Sequence, residues 1–311
     1  MALLKHIVLL GAGAVGVLPA EKLLKLPDIR FTAAADMPRV IRYRRDGIFL
    51  NRKKLDFTFA APEEMGDLPP ADLIIAATKT VALAEALDNV VPVVGEKTIF
   101  LPLLNGITAH EVIQARFPSN PVLRGYFLGH ASVREKNFIT HDGVGTFYCG
   151  GEAEFLTPVY ELFKRAGIPV EIPENMLSAT WKKFVLNVGI NQTQAMFSAD
   201  YGMVQRDEKL LTYCRKLMEE AVAVANAEGV TETENMISAA MDVILSMPGN
   251  VKTSMLQDML ARHKSEVDAF AGTICAKAEK YGIPTPLNAE VLAAISSREA
   301  AYPAETERIE P

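Results

Sequence analysis

The stretch that decides the fold lies near the start of the chain and reads His6-Ile-Val-Leu-Leu-Gly11-Ala-Gly13-Ala-Val-Gly16. Its first part is a short, largely apolar run, which predicts a buried strand. The glycines that follow have a GxGxxG spacing: Gly11 permits a tight turn, Gly13 lets a pyrophosphate approach the backbone, and Gly16 lets helix and strand pack closely. The first N–H groups of the helix can bind the phosphates. We therefore expect the whole turn to contact a dinucleotide, through Gly11, Ala12, Gly13, Ala14, Val15 and Gly16.

The same segment also has features of a secretory signal peptide, because Lys5 precedes a short apolar core that ends in small residues. Three glycines are unusual in a signal sequence and are required in a dinucleotide-binding turn, so we favour the strand. No other apolar run approaches the roughly 18 residues that a membrane span needs. We expect a cytoplasmic protein without a membrane segment.

The first half of the chain alternates apolar strand-like runs with helical stretches. We expect strands at 6–10, 30–35, 72–77 and 97–103, helices at 14–26, 80–90 and 108–116, and a late hairpin that pairs 138–140 with 146–149. This alternation predicts an α/β fold with a doubly wound, Rossmann-type parallel sheet. The expected dinucleotide-binding domain covers residues 1–170.

The second half shows helical periodicity and almost no strand signal. We expect helices at 177–198, 205–228, 232–246, 255–281 and 287–301, separated by glycine and proline. This pattern predicts an all-α C-terminal domain over residues 171–311, and we expect it to carry the substrate-binding and catalytic residues.

Charge and cysteine usage narrow the classes of function. The 311 residues include 38 acids and 32 bases, a net charge of −6, whereas a nucleic-acid-binding surface is normally basic. The three cysteines are far apart, which indicates a reducing compartment and gives no metal-site spacing. We therefore expect neither a nucleic-acid partner nor a metal.

Asp36, 20 residues after Gly16, bears on the choice of cofactor. A carboxylate at the end of the second strand accepts hydrogen bonds from the ribose diol of NAD and repels the 2′-phosphate of NADP. A basic cluster follows, on what we expect to be a loop, and it could hold a 2′-phosphate or stay solvated: Arg39, Arg42, Arg44, Arg45, Arg52, Lys53 and Lys54. The local sequence favours NADH slightly.

A narrow polar stripe runs along an otherwise apolar helix in Lys183-Phe-Val-Leu-Asn187-Val-Gly-Ile-Asn191. Residues four apart lie on one helical face, and a solvent-facing surface would be more broadly polar. Carboxamides both donate and accept, which suits a substrate with hydroxyl and keto oxygens. The stripe predicts a ligand-facing groove, and a polar network between helices without a ligand is the alternative.

A second polar cluster begins at Ser254, where a helix is expected to start, with Glu266 further along the same helix. The Ser254 hydroxyl and the first N–H groups could bind a carboxylate, or Ser254 could be an ordinary N-cap. Asp258, Arg262 and Glu266 have the spacing of a surface ion-pair ladder, so the pattern leaves Glu266 undecided. The five histidines show no ligand spacing.

Together these motifs resemble the ketopantoate reductase (2-dehydropantoate 2-reductase) family over essentially the whole chain. The resemblance is carried by the glycine turn, Thr78-Lys79, Leu104-Asn105-Gly106, the Lys183-Asn187-Asn191 ladder, and Ser254-Met-Leu-Gln-Asp with Glu266. It implies reduction of ketopantoate to pantoate with NAD(P)H, a step of pantothenate and coenzyme A biosynthesis. It favours NADPH, implies a small-molecule substrate and allows a homodimer.

The same resemblance implies a role for each matching residue. Lys183 would be the general acid that protonates the ketone oxygen, and Glu266 would hydrogen-bond near the substrate hydroxyl or the cofactor. The substrate would be held by Asn105, Asn187, Asn191 and Ser254. The cofactor would contact the glycine turn, Asp36, Lys79, Asn105 and Ala131.

The chain departs from the family pattern at three positions. Asp36 stands where many members have arginine, and two asparagines expected at the rim of the substrate pocket are replaced by Tyr201 and Val251. The altered rim predicts a shifted substrate preference. Two other readings therefore stay open: a related dehydrogenase acting on another 2-oxo acid or an opine, and a non-catalytic NAD(P)-sensing protein.

Overall fold

A computed structural model describes residues 3–129 and 132–302, and it divides the chain into two compact units, Met1–Met176 and Leu177–Pro311. The strands lie in the first unit: β1 (His6–Leu10), β2 (Arg30–Ala34), β3 (Phe49–Leu50), β4 (Lys53–Lys54), β5 (Thr58–Ala60), β6 (Leu73–Ala76), β7 (Ile99–Pro102), β8 (Arg124–Gly129), β9 (Val133–Glu135), β10 (Phe138–Thr140), β11 (Gly145–Gly150) and β12 (Val170–Glu171). Its helices are α1 (Val17–Leu23), α2 (Met37–Asp46), α3 (Leu83–Ala86), α4 (Ala109–Arg116) and α5 (Ala153–Arg165), and 3₁₀ segments lie at Pro62–Glu64, Thr80–Ala82 and Leu87–Val93.

The centre of the first unit is a five-stranded parallel sheet in the order β5-β2-β1-β6-β7. All residues of β1 are buried, because both faces of this strand are covered. Ile7 and Leu9 belong to one hydrophobic cluster and Val8 and Leu10 to the other, as the alternation of side chains along a strand requires. The expected Rossmann-type α/β fold is therefore confirmed, with strand order reversing direction beside β1.

The late hairpin is the first correction to the sequence-based expectation. The segments 138–140 and 146–149 are strands β10 and β11, but they lie in different sheets, β4-β3-β10-β9 and β12-β11-β8. Aromatic pairs between distant segments decide the pairing: Phe138 stacks on Phe49 at 4.8 Å, and Phe147 lies 4.9 Å from Phe127. Such cross-strand pairs stabilise a particular partner strand, which local sequence cannot reveal.

The basic cluster after Asp36 gives the second correction. We expected these arginines on a loop, but Arg39, Arg42, Arg44 and Arg45 lie on α2. Asp36 is the N-cap of this helix, since its side chain accepts a hydrogen bond from the backbone N–H of Arg39 at 2.8 Å. The helix was missed because its composition is polar and its apolar stripe is short.

The regular elements in the described part of the second unit are all helices: α6 (Met176–Phe197), α7 (Tyr201–Arg206), α8 (Glu208–Ala227), α9 (Met236–Ser246), α10 (Ser254–Leu260), a π-helical turn (Asp268–Gly272), α11 (Thr273–Tyr281) and α12 (Pro286–Glu299). The expected all-α character is confirmed, and α7 was not anticipated. Among the helices of the described residues, none is long and apolar enough to cross a membrane.

The prediction of a single helix over 255–281 is wrong. The chain leaves the helix after Leu260, and Arg262 has a left-handed backbone with a φ of 56°. Beyond the break, the Glu299 carboxylate accepts hydrogen bonds from the backbone N–H and the hydroxyl of Ser265, at 2.8 and 2.5 Å. Glu266 therefore lies outside α10, is buried, and does not belong to a surface ladder with Asp258 and Arg262.

Gly16 gives a test of the fold. A β-carbon at this position would overlap the carbonyl oxygen of Gly11, so Gly16→Ala forces the turn to move. We expect the free energy of unfolding to fall by about 1–3 kcal/mol, as overpacking usually costs, measured by urea denaturation. Gly66→Ala is the matched control, because a β-carbon there meets no atom within 4 Å. Equal stability of the two variants would contradict the close approach.

Candidate functional site

The carboxyl ends of neighbouring parallel strands bring the predicted cofactor residues to one edge of the sheet. Gly11 directly follows β1, Asp36 lies two residues beyond the end of β2, and Lys79 three residues beyond β6. Asn105 follows β7. In open α/β sheets, ligands bind at this edge, where the strand order reverses.

The glycine turn is shaped by the absence of side chains. Gly11 has a φ of +100°, and a β-carbon there would lie 2.7 Å from the Ala77 carbonyl carbon and the Thr78 nitrogen. At Gly13, by contrast, the nearest atoms would be 3.8 Å away or more. The turn is thus tightly packed on the protein side and open at Gly13, which fits the close approach of a pyrophosphate.

The Asp36 carboxylate already interacts with a residue of the helix that it caps. One carboxylate oxygen accepts from the Arg39 backbone N–H, and the other forms an ion pair with the Arg39 guanidinium. Both side chains are partly exposed, so the pair is accessible to a ligand. A carboxylate accepts more than two hydrogen bonds, so Asp36 can still accept from a ribose diol.

The loops after β6 and β7 are joined to each other. The Thr80 hydroxyl donates to the backbone carbonyl of Asn105 at 2.8 Å, which ties the exposed Lys79 segment to the Asn105 turn. Ala131, the remaining predicted cofactor residue, lies outside the described residues. The fold therefore places the glycine turn, Asp36, Lys79 and Asn105 at one edge of the sheet.

In the second unit, α6 carries the polar stripe as a continuous helix. Asn191 is only 6% exposed, and Asn187 is partly buried between the buried side chains of Phe184 and Val188. Within residues 3–129 and 132–302, neither carboxamide hydrogen-bonds another residue. Buried carboxamides normally have partners. Their lack of a protein partner argues against a closed network between helices and favours a ligand.

Lys183 stands at the start of the stripe and is electrostatically coupled to Glu266. Burial of the Lys183 side chain lowers its pKa to about 8, although the Glu266 carboxylate acts in the opposite direction and raises it. Glu266 is itself buried. The break after α10 thus places a carboxylate near the ammonium group, an arrangement that a continuous surface helix would not give.

Ser254 is the first residue of α10 and is exposed, whereas the N-cap is Thr253. The interpretation of Ser254 as an ordinary N-cap is therefore wrong. The Thr253 backbone N–H donates to the Gln194 side-chain oxygen at 2.9 Å, which links the start of α10 to α6. Gln194 was missed by the sequence reasoning, although it lies seven residues after Asn187 and continues the polar stripe.

Two further polar atoms lie beside this link. The Gln194 side-chain nitrogen and the Thr253 hydroxyl are buried and have no hydrogen-bond partner in the described part of the chain. The two altered rim positions adjoin each other, since the Tyr201 backbone N–H donates to the Val251 carbonyl at 3.1 Å. The Tyr201 side chain is buried, and burial raises the pKa of its phenol to about 12.

No group of three or more His, Cys, Asp or Glu side chains in the described ranges is arranged to hold a metal ion. The side chains gathered in the second unit are instead one lysine, one carboxylate, carboxamides and hydroxyls. Such a set can bind a small oxygen-rich molecule and transfer a proton to it.

Comparisons with known proteins find similar sequences and similar folds. Residues 7–153 match the family model "Ketopantoate reductase PanE/ApbA", and residues 175–299 match its C-terminal counterpart. A 2-dehydropantoate 2-reductase from Vibrio cholerae is 28% identical over 304 residues, which cover 96% of this chain and 99% of the relative.

Two solved structures share the fold over nearly their whole length. One is a PanE/ApbA family ketopantoate reductase from Ralstonia eutropha, with a TM-score of 0.83, 24% identity, and coverage of 95% of this chain and 99% of that one. The other is a D-mandelate dehydrogenase with NADH and anilino(oxo)acetate, with a TM-score of 0.84, 20% identity, and coverage of 96% and 99%.

The lowered pKa of Lys183 makes stability depend on pH. Between about pH 8 and 10.5 the unfolded chain holds the Lys183 proton and the folded chain releases it, so the folded state gains stability as pH rises through this window. Relative to Lys183→Met, wild type should therefore become more stable from pH 8 to 10, measured by urea denaturation. The exposed Lys182 gives the control: the difference in free energy of unfolding between wild type and Lys182→Met should stay constant over the same pH range. A constant difference for Lys183→Met as well would contradict the lowered pKa of Lys183.

Proposed function

The chain belongs to the ketopantoate reductase family, and from that premise we propose that it reduces a 2-oxo acid, ketopantoate first, with NAD(P)H and with Lys183 as the general acid. The observation that carries the proposal is the Lys183 ammonium, whose pKa is lowered to about 8, on the same helix face as two carboxamides that have no partner among the described residues. We place the reaction in the cytoplasm.

The first unit would hold the cofactor. The backbone of residues 11–16 would bind the pyrophosphate, Asp36 the adenosine ribose, and Lys79 and Asn105 the remainder of the dinucleotide. When bound, the reduced nicotinamide supplies the hydride that reaches C2 of the keto acid. The small side chains of the glycine turn leave the necessary space over Gly13.

Proton delivery would fall to Lys183. Negative charge develops on the ketone oxygen during reduction, and a protonated lysine facing that oxygen stabilises the charge and then donates its proton. A pKa of about 8 suits this role, since the group is protonated at neutral pH and releases the proton without a large penalty. Glu266 keeps the pKa from falling further.

The polar side chains that follow Lys183 along α6, together with Ser254 at the start of α10, would hold the substrate. Asn187 and Asn191 can donate to and accept from the keto and hydroxyl oxygens, and the exposed Ser254 hydroxyl can donate to the carboxylate. Gln194 fixes the start of α10 and thereby the position of Ser254.

A related 2-oxo acid is the second candidate substrate. Tyr201 and Val251 replace carboxamides that would hydrogen-bond a hydroxylated substrate, and they adjoin each other. An apolar or aromatic rim favours a keto acid with an apolar side chain, and a D-mandelate dehydrogenase shares the fold. Relative kcat/KM values for ketopantoate and an aryl keto acid separate the two candidates.

The general-acid role is tested by replacing Lys183. We expect Lys183→Met to lower kcat by about 10²–10⁴-fold, the usual contribution of a general acid, with the Kd for NADH nearly unchanged. Lys182→Met, one residue away and exposed, should keep wild-type kcat. A loss below about fivefold for Lys183→Met would assign the proton donor to another group, with Lys79 the next candidate.

The pH profile tests the coupling of Lys183 to Glu266. Because reduction needs the protonated lysine, kcat/KM should fall above about pH 8. Glu266→Gln removes the negative charge that raises the Lys183 pKa, so the descending limb should move to lower pH. A limb that stays in place in Glu266→Gln would show that it belongs to a different group.

Cofactor choice is decided around Asp36, and we propose a modest preference for NADH. A 2′-phosphate about 4 Å from this carboxylate costs on the order of 1 kcal/mol in water. The ion pair with Arg39 offsets part of that repulsion. We expect Asp36→Asn to raise kcat/KM for NADPH relative to NADH by about fivefold, since asparagine keeps the N-cap and removes the charge.

Arg39→Gln is the complementary variant, and it should lower the NADPH to NADH ratio of kcat/KM. Wild type that prefers NADPH tenfold would contradict the proposed role of Asp36, and the arginines of α2 would then bind the 2′-phosphate.

A further inference from the structure

Arg134 reaches the glycine turn from a distant part of the chain. It lies on β9, is exposed, and its guanidinium donates to the backbone carbonyl of Ala12 at 3.3 Å, 122 residues away in sequence. One of its terminal nitrogens would also be 3.9 Å from a β-carbon on Gly13. Gly13 is the residue whose bare backbone admits the pyrophosphate in this motif.

The guanidinium is held in place by neighbours of the first unit. Its Nε donates to the Lys136 carbonyl at 2.8 Å, within the same strand connection. The guanidinium also interacts with the Tyr43 phenol: burial raises the pKa of this phenol, but the Arg134 and Arg42 guanidiniums lower it more, so the Tyr43 pKa lies below its ordinary value. Arg134 is thus oriented by two carbonyls and a phenol oxygen.

No carboxylate of the described residues pairs with its positive charge. Arg39, Arg44 and Arg45 form ion pairs with Asp36, Glu64 and Asp46. Arg134 forms no ion pair with any carboxylate in residues 3–129 and 132–302. A guanidinium has five N–H donors in a planar fork that fits phosphate oxygens, and those not used by the two carbonyls and the Tyr43 phenol oxygen remain for a ligand.

We propose that Arg134 is a cofactor-binding residue that clamps the pyrophosphate of NAD(P)H over the Ala12–Gly13 segment. The backbone of the turn would bind the phosphates from one side and the guanidinium from the other. The ligand chemistry is a dinucleotide pyrophosphate. This inference does not depend on which keto acid is reduced, because it concerns cofactor binding alone.

A 2′-phosphate is the competing anion in the same cofactor. Geometry favours the pyrophosphate, because the contacts of Arg134 are with Ala12 and the space over Gly13. The adenosine ribose would instead lie near Asp36 and Arg39, which form an ion pair with each other.

Binding measurements without turnover test this assignment. The Kd of NADH is followed by nucleotide fluorescence, and ADP, 2′-AMP and adenosine are measured as competitors, for wild type and Arg134→Gln. We expect NADH and ADP to bind about tenfold to a hundredfold more weakly to the variant, the effect of one charge-assisted hydrogen-bonded contact. The Kd of 2′-AMP and of adenosine should not change, and Arg134→Lys should restore part of the affinity for ADP.

Arg165→Gln is the matched control, because it removes one exposed arginine of the same unit that pairs with Asp28 far along the sequence, and it should leave every Kd unchanged. Equal weakening of ADP and adenosine would reveal a structural role and overturn the proposal. Weakening of 2′-AMP alone would assign Arg134 to the 2′-phosphate and would equally overturn it. Unchanged binding of all four ligands would exclude Arg134 from the cofactor site.

Discussion

The close approach of β1 and β6 at the glycine turn is the constraint on which the first unit depends. Gly11 leaves no room for a side chain between itself and the Ala77–Thr78 backbone, and Gly16 leaves none beside the Gly11 carbonyl. Because these contacts fix the start of α1 against the sheet, the space over Gly13 stays open at the point where strand order reverses. Asp36, Lys79 and Asn105 then reach the same edge simply because parallel strands end there together.

The second unit depends on a different constraint, the burial of charge and amide groups on α6. Burial alone would push the Lys183 pKa further down, and the buried Glu266 carboxylate limits that effect. The break between α10 and the π-helical turn is what brings Glu266 to this position. Asn187 and Asn191 have no side-chain partner within the described ranges, so their hydrogen bonds are free for water or a ligand. In our proposal the substrate is that ligand.

Sequence reasoning succeeded where the determinants are local. The bounds of β1 follow from a continuous apolar run that ends in glycine, and α6 follows from a long apolar segment of 22 residues without glycine clusters or proline. It failed where residues far apart along the chain determine the structure. The pairing of β10 and β11 depends on aromatic partners far along the chain, and the break at Arg262 has neither glycine nor proline to mark it. Arg134 could not be found from local sequence, because only the fold carries β9 to the glycine turn.

The most direct test of the central claim is oxidation of the reduced nicotinamide by purified protein with ketopantoate and a panel of other 2-oxo acids, run separately with NADH and NADPH. We predict loss of the nicotinamide absorbance with at least one 2-oxo acid, ketopantoate foremost, and a faster reaction with NADH. Tight binding of both nucleotides without turnover of any keto acid would contradict it, and the chain would then be a non-catalytic nucleotide sensor with the fold of a reductase.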